Sequence, residues 1–133
     1  MNIILQKSTI KRKSAIQITG SKSESNRLLL LQALYPELQI ENVSNSDDSR
    51  LMMTALKSTS EIIDIHHAGT AMRFLTAFFA IQEGREIILT GSDRMKERPI
   101  KILVEALQSL GAQMEYLEND GFPPLKIRGL NLT

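Results

Sequence analysis

Three short stretches combine residue types that together can hold an anion. They are Gly20-Ser21-Lys22-Ser23-Glu24-Ser25-Asn26-Arg27, Ala68-Gly69-Thr70-Ala71-Met72-Arg73 and Gly91-Ser92-Asp93-Arg94-Met95-Lys96-Glu97-Arg98. In each, an extended segment ends, a glycine-containing loop turns, and a helical pattern begins with a cation nearby. The free N–H groups of a helix start, together with the helix dipole, attract negative charge. Serine and threonine hydroxyls add donors, and a guanidinium grips phosphate or carboxylate through two parallel hydrogen bonds. Glycine removes the side chain that would hold a ligand off the backbone. Three such loops on one face of a domain would suit a substrate with several negative charges.

Each of these residues also has a plainer use. The serines at 21–25 read as a helix cap, and Lys22 and Arg27 taken singly read as solvated surface charges. Gly69 alone reads as a turn residue, and the charges from Arg94 to Arg98 as a solvated helix start. Asp47-Asp48 suits helix capping better than a metal site, because no His or Glu stands at ligand spacing. His66 and His67 are adjacent, so their rings cannot share a helix face as i and i+4 ligands do.

The elements that must position these loops follow from periodicity. Residues 3–5 and 15–18 read as short strands around the basic stretch Lys11-Arg12-Lys13. Residues 25–34 read as a helix whose Leu28 to Leu31 run predicts burial on more than one side. Pro36 stops it, and residues 38–42 read as a strand. A second helix spans 47–57, capped by Ser46 or Asp47, with Leu51, Met52, Ala55 and Leu56 inward. A strand at 62–65 leads to a helix at 70–81 that turns Met72, Leu75, Phe78 and Phe79 inward and ends at Gly84. A strand at 86–89 precedes a helix with Pro99 in its first turn. Its inner face is Ile100, Leu103, Val104, Leu107 and Leu110, the cleanest amphipathic pattern in the chain. Gly111 suits a left-handed C-terminal position. Strands at 113–117 and 125–128 are joined through the turn signal Asn119-Asp120-Gly121. One motif recurs: Ile18-Thr19-Gly20-Ser21 and Leu89-Thr90-Gly91-Ser92 have Arg27 and Arg98 at the same distance beyond them, as in a repeated α/β unit.

Composition bounds the partners. The chain has 133 residues, enough for one domain, with 42% hydrophobic and 23% charged residues, which argues against disorder. A net charge of +1 gives no global field for nucleic acid or an anionic membrane, so an anion site must be local. At 5% aromatic residues and no Trp, the chain has little material for base stacking. The absence of Cys excludes disulfides, thiolate metal sites and a thiol nucleophile within this chain. No window reaches the length of a membrane span, and the N-terminal apolar run is too short for a signal peptide. A soluble, cytoplasmic protein is expected.

The motif residues go further than this. The three stretches, in this order, with Asp47-Asp48, Leu110-Gly111-Ala112 and Pro123-Pro124-Leu125-Lys126-Ile127-Arg128-Gly129, resemble the N-terminal portion of the 5-enolpyruvylshikimate-3-phosphate synthase family. The resemblance covers nearly the whole chain. It implies an α/β (α+β) fold of repeated βαβαββ units, with helices packed against small sheets. It also implies transfer of an enolpyruvyl group from phosphoenolpyruvate to the 5-hydroxyl of shikimate 3-phosphate, without a cofactor or metal. Carried over residue by residue, Lys22 would contact both substrates, Ser23 and Arg27 would hold shikimate 3-phosphate, Gly69 would line the phosphoenolpyruvate pocket, and Arg98 would bind that substrate's anionic groups. No catalytic acid–base residue is expected within this chain.

Two residues depart from the family pattern. His67 stands where Asn is usual, so a charge there would depend on pH, and Phe74 replaces a Pro seen in some members, read as variation in packing. The family's chains are much longer. Residues 1–19 are therefore expected to be strands partly associated with a second domain, absent here, and residues 20–133 a truncated N-terminal substrate-binding domain of a monomeric parent. The alternatives are the related UDP-N-acetylglucosamine enolpyruvyl transferase, which shares fold and donor, and a non-catalytic anion-binding module. Nucleic-acid binding is the weakest reading.

Overall fold

The computed structural model describes residues 3–131. Four strands, β1 (Ile62–Asp64), β2 (Glu86–Thr90), β3 (Gln113–Tyr116) and β4 (Leu125–Arg128), form one sheet in the order β1-β2-β4-β3. β1 is parallel to β2, whereas β2–β4 and β3–β4 are antiparallel. The parallel pair needs a crossover, supplied by α3 (Gly69–Ala80). The short α4 (Asp93–Lys96) and α5 (Lys101–Ser109) connect β2 to β3. The result is one βαβαββ unit, preceded by α1 (Lys22–Leu34) and α2 (Asp47–Lys57).

Alternation along the strands sorts the two faces of the sheet. Register sets Ile87 opposite Ile127, Leu89 opposite Leu125, and Met114 opposite Ile127, which stacks apolar side chains on the helix-covered face. The other face carries Glu86 opposite Arg128, and Lys126, whose Nζ lies 3.0 Å from Glu86. α3 is the hub, touching α1, α2, α5, β2 and β4. Its predicted inner face is buried in full, with Met72, Leu75, Phe78 and Phe79 each no more than 6% exposed. Burying each such side chain is worth about 1.5–3 kcal/mol. Close approach also needs small residues: a Cβ on Gly129 would collide with the backbone carbonyls of Gln82 and Phe79. At the far end, Lys96 reaches Glu118 and Lys101 reaches Asp120, both at 2.7 Å. These hydrogen bonds to carboxylates hold both lysines above their ordinary pKa.

Several expectations are corrected. Residues 3–5 and 15–18 form no strand: the described arm runs without a ladder, and Leu5 and Ile10 are at least 90% exposed. A strand exists through its neighbour's N–H and C=O groups, and none lies beside this arm. Residues 38–42 are loop as well, with Asn42 at a left-handed φ of 51°. α1 starts earlier than predicted because Ser21 Oγ accepts the Glu24 N–H at 3.4 Å. Its leucine run buries only Leu29, leaving Leu31 and Leu34 exposed. The helix start expected in the third stretch is realised as the short α4, separate from α5, which begins after Pro99, so that proline lies between the two helices instead of in the first turn of the second. Leu110 follows the last turn and is exposed. Gly111, at φ 99°, is the expected left-handed residue.

Candidate anion-binding site

The start of α1 is fixed from behind. Ser25 Oγ accepts the Ser44 N–H at 2.9 Å, and the fully buried Asn26 accepts from Ser49 Oγ at 2.9 Å. These bonds tie α1 to the loop that leads into α2 and to the first turn of α2 itself, and they give Ser25 a structural role. The recurring motif has a structural meaning too, since Ser21 and Ser92 are both side-chain N-caps. The strand expected before the first copy is missing.

Lys22 and Arg27 are left free to line a cleft. Arg27 Nη1 donates to Ser23 Oγ at 2.6 Å and to the Ser23 carbonyl at 2.8 Å, and its guanidinium lies 5.5 Å from the centre of the Phe74 ring. Held on both sides, it is preorganised without being neutralised. Lys22 Nζ lies 3.5 Å from Asp48 Oδ2, so α2 steadies it with a carboxylate.

The start of α3 forms the floor. Ala68 offers no side-chain cap, unlike the serines that open α1, α2 and α4. Among the described residues, no side chain caps the first N–H groups of this helix, which lie at the positive end of its dipole. Arg73 donates to the Gly69 carbonyl and to the Pro99 carbonyl, each at 3.1 Å, which clamps α3 to the segment bearing Arg98. A Cβ built on Gly69 would lie 2.5 Å from Arg98 Nη1, so glycine is what lets this guanidinium rest on the helix start. With His67 and Thr70, these groups enclose a cleft of about 480 Å³ holding four cations, Lys22, Arg27, Arg73 and Arg98, and one carboxylate, Asp48.

Of the residues singled out from sequence, Lys22, Arg27, Gly69 and Arg98 thus meet in one cleft, while Ser23 stands behind Arg27 as its acceptor. Arg94 does not line it. Asp48 serves Lys22 instead of the helix cap, which is Ser46. Phe74 is more than a packing residue, since it underlies Arg27. Arg73 was visible in the second stretch, but its clamp on Pro99 spans separate elements and has no local signature. Among the described residues, no group of three or more His, Asp or Glu is arranged to hold a metal, and no helix is long and apolar enough to cross a membrane.

A direct test of the floor is Gly69→Ala. The clashing atom is the far end of a flexible side chain, so the fold should lose no more than about 1 kcal/mol. The displaced guanidinium should weaken phosphate binding by about tenfold. Thermal melting and phosphate titration of the two chains would check both halves.

An uncapped helix start, a glycine under a guanidinium, and clustered cations give this α/β domain a cationic cleft. The family profile for EPSP synthase (3-phosphoshikimate 1-carboxyvinyltransferase) matches residues 57–133. A relative named 3-phosphoshikimate 1-carboxyvinyltransferase from Bacteroides fragilis (strain YCH46) is 51% identical over 122 residues, covering 91% of this chain and 30% of the relative. One of the same name from Aliivibrio salmonicida is 45% identical, covering 88% and 34%. The solved EPSP synthase from Acinetobacter baumannii superimposes with a TM-score of 0.71 at 19% identity, over 86% of this chain and 31% of that one, a likeness of fold. The chain belongs to the EPSP synthase family, and it spans about 30% of the length of the Bacteroides fragilis relative.

Proposed function

We propose that this chain supplies one wall of the active site of an enzyme that transfers the enolpyruvyl group from phosphoenolpyruvate to shikimate 3-phosphate. The 5-hydroxyl oxygen loses its proton and bonds to the phosphate-bearing vinyl carbon of phosphoenolpyruvate while the methylene carbon gains a proton, giving a tetrahedral intermediate; breaking the carbon–oxygen bond to phosphate with loss of a proton from the new methyl group then yields the enol ether and inorganic phosphate. On this reading Arg27, backed by Ser23, holds shikimate 3-phosphate, and Lys22 lies between the two substrates. The Gly69 backbone and Arg98 receive the anionic groups of phosphoenolpyruvate. Cations fixed before the reaction stabilise charge as it shifts from the donor to the departing phosphate. Residues 20–133 are then part of a substrate-binding domain, and the acid–base groups come from a second domain that closes over the cleft. The enzyme is taken to be a cytoplasmic monomer.

The observation that supports this most is the convergence of Lys22, Arg27, Gly69, Arg73 and Arg98 on one cleft. The names of the relatives favour the shikimate branch over the UDP-sugar branch. Calorimetric titration of shikimate 3-phosphate into the 133-residue chain tests it. Weak binding is expected, reduced about tenfold or more in Arg27→Ala, with no turnover in either. Equal affinity in the two chains would remove Arg27 from the substrate site, and product formation by the chain alone would show that no second domain is needed.

A further inference from the structure

Phe74 lines the cleft, and its ring centre lies 5.5 Å from the guanidinium carbon of Arg27. The two side chains come from different helices, Phe74 from α3 and Arg27 from α1, so the fold makes this contact. Arg27 is otherwise held through Nη1, which donates to the Ser23 hydroxyl at 2.6 Å and to the Ser23 carbonyl at 2.8 Å. Those bonds tie the guanidinium to its own helix and leave its place relative to α3 to the ring. With Nη1 occupied, the Nε–Nη2 edge is left for a ligand, and among the described residues neither nitrogen makes a hydrogen bond. Arg73, the residue before Phe74, acts on the segment that carries the other arginine, donating to the Pro99 carbonyl at 3.1 Å. Consecutive residues of α3 thus set Arg27 and the Arg98 segment from one helix.

We propose that Phe74 is a positioning residue of this cleft: its ring holds the Arg27 guanidinium so that the Nε–Nη2 edge meets a bound oxyanion as a ready fork. This rests on the anion-cleft reading and adds to it the group that sets one of its cations. An aromatic face attracts a cation through its quadrupole without supplying a counter-charge. Lys22 shows the contrast, since the Asp48 carboxylate at 3.5 Å steadies it and offsets part of its charge. Arg27 is steadied by neutral groups only, the Ser23 oxygens and the ring, so its whole charge stays available to a ligand. The ring is itself anchored, half-buried and packed against the core. A long side chain ordered before binding loses less rotamer freedom when the ligand arrives, and that difference appears as affinity.

The test titrates inorganic phosphate into the full 133-residue chain and into Phe74→Leu, Phe74→Tyr, Arg27→Ala and the Phe74→Leu/Arg27→Ala double variant. Leucine keeps an apolar side chain against the core but removes the aromatic face, so binding should weaken about threefold. Tyrosine keeps the face and should restore the parent affinity. In the Arg27→Ala background Phe74→Leu should cost nothing further, because the ring acts only through the guanidinium. The Arg27 Nε–H resonance reports the same contact without ligand. The ring current should displace it in the parent and in Phe74→Tyr, and Phe74→Leu should return it to the range of an exposed arginine. Unchanged affinity in Phe74→Leu, or an equal loss in both backgrounds, would overturn the role of Phe74 and leave the cleft standing. Failure of phosphate to bind the parent chain, or parent affinity in Arg27→Ala, would remove the reading beneath it, and this inference with it.

Discussion

Replacing Arg98 with Ala should weaken binding of a phosphorylated acid by about 10- to 100-fold while leaving the melting temperature almost unchanged. The two halves follow from the same geometry. Arg98 lies on an exposed segment after α4, and among the described residues its guanidinium forms no ion pair. Its removal therefore leaves no buried charge unpaired and opens no cavity in the core. What disappears is a bidentate donor resting over Gly69, next to the first N–H groups of α3. A charge-assisted hydrogen bond contributes about 1.5–3 kcal/mol, which sets the expected range. Lysine at the same position should recover only part of the affinity, because an ammonium lacks the planar fork. Calorimetry with Arg98→Ala and Arg98→Lys would test this. Unchanged affinity in the alanine variant would mean that Arg98 is a surface charge and nothing more.

Phe79→Ala should have the opposite profile, costing about 3–5 kcal/mol of stability. Phe79 is 1% exposed, packs edge-to-face on Phe78 at 5.2 Å, and lies under the Arg85 guanidinium at 4.8 Å. Truncation leaves a cavity under the last turn of α3, the helix that touches most of the other elements. Domains commonly have only about 5–15 kcal/mol in total, so the variant should melt at least about 10 °C lower. Anion affinity of the fraction still folded should persist, since the α3 N-terminus lies at the other end of the helix. A melting shift of only a degree or two would show that α3 is not the hub of the core.

How much of this was legible in the sequence depends on how local the signal was. α2 and β4 fall on the residues that pattern and caps predicted, because Ser46 and the alternation Leu125, Ile127 are local facts. The inner face of α3 was readable for the same reason. The N-terminal strands were not realised, because a short apolar segment says nothing about whether a partner strand is at hand. The leucine run of α1 misled in a similar way: apolarity all round the helix did not secure burial of Leu31 and Leu34. In the site, Lys22, Arg27, Gly69 and Arg98 stood out by motif. The clamp from Arg73 to Pro99 and the Phe74 ring beneath Arg27 join residues far apart in sequence or sit outside any motif, so only the folded chain displays them.

Whether Lys22, Arg27, Gly69, Arg73 and Arg98, which converge on one cleft, bind an anion together can be measured directly by titrating inorganic phosphate into the isotope-labelled 133-residue chain and following its nuclear magnetic resonance signals. The backbone amides of Gly69 and Thr70 and the guanidinium signals of Arg27, Arg73 and Arg98 should move together and fit a single dissociation constant. Shifts scattered over the surface, or different constants for Arg27 and Arg98, would contradict a common cleft.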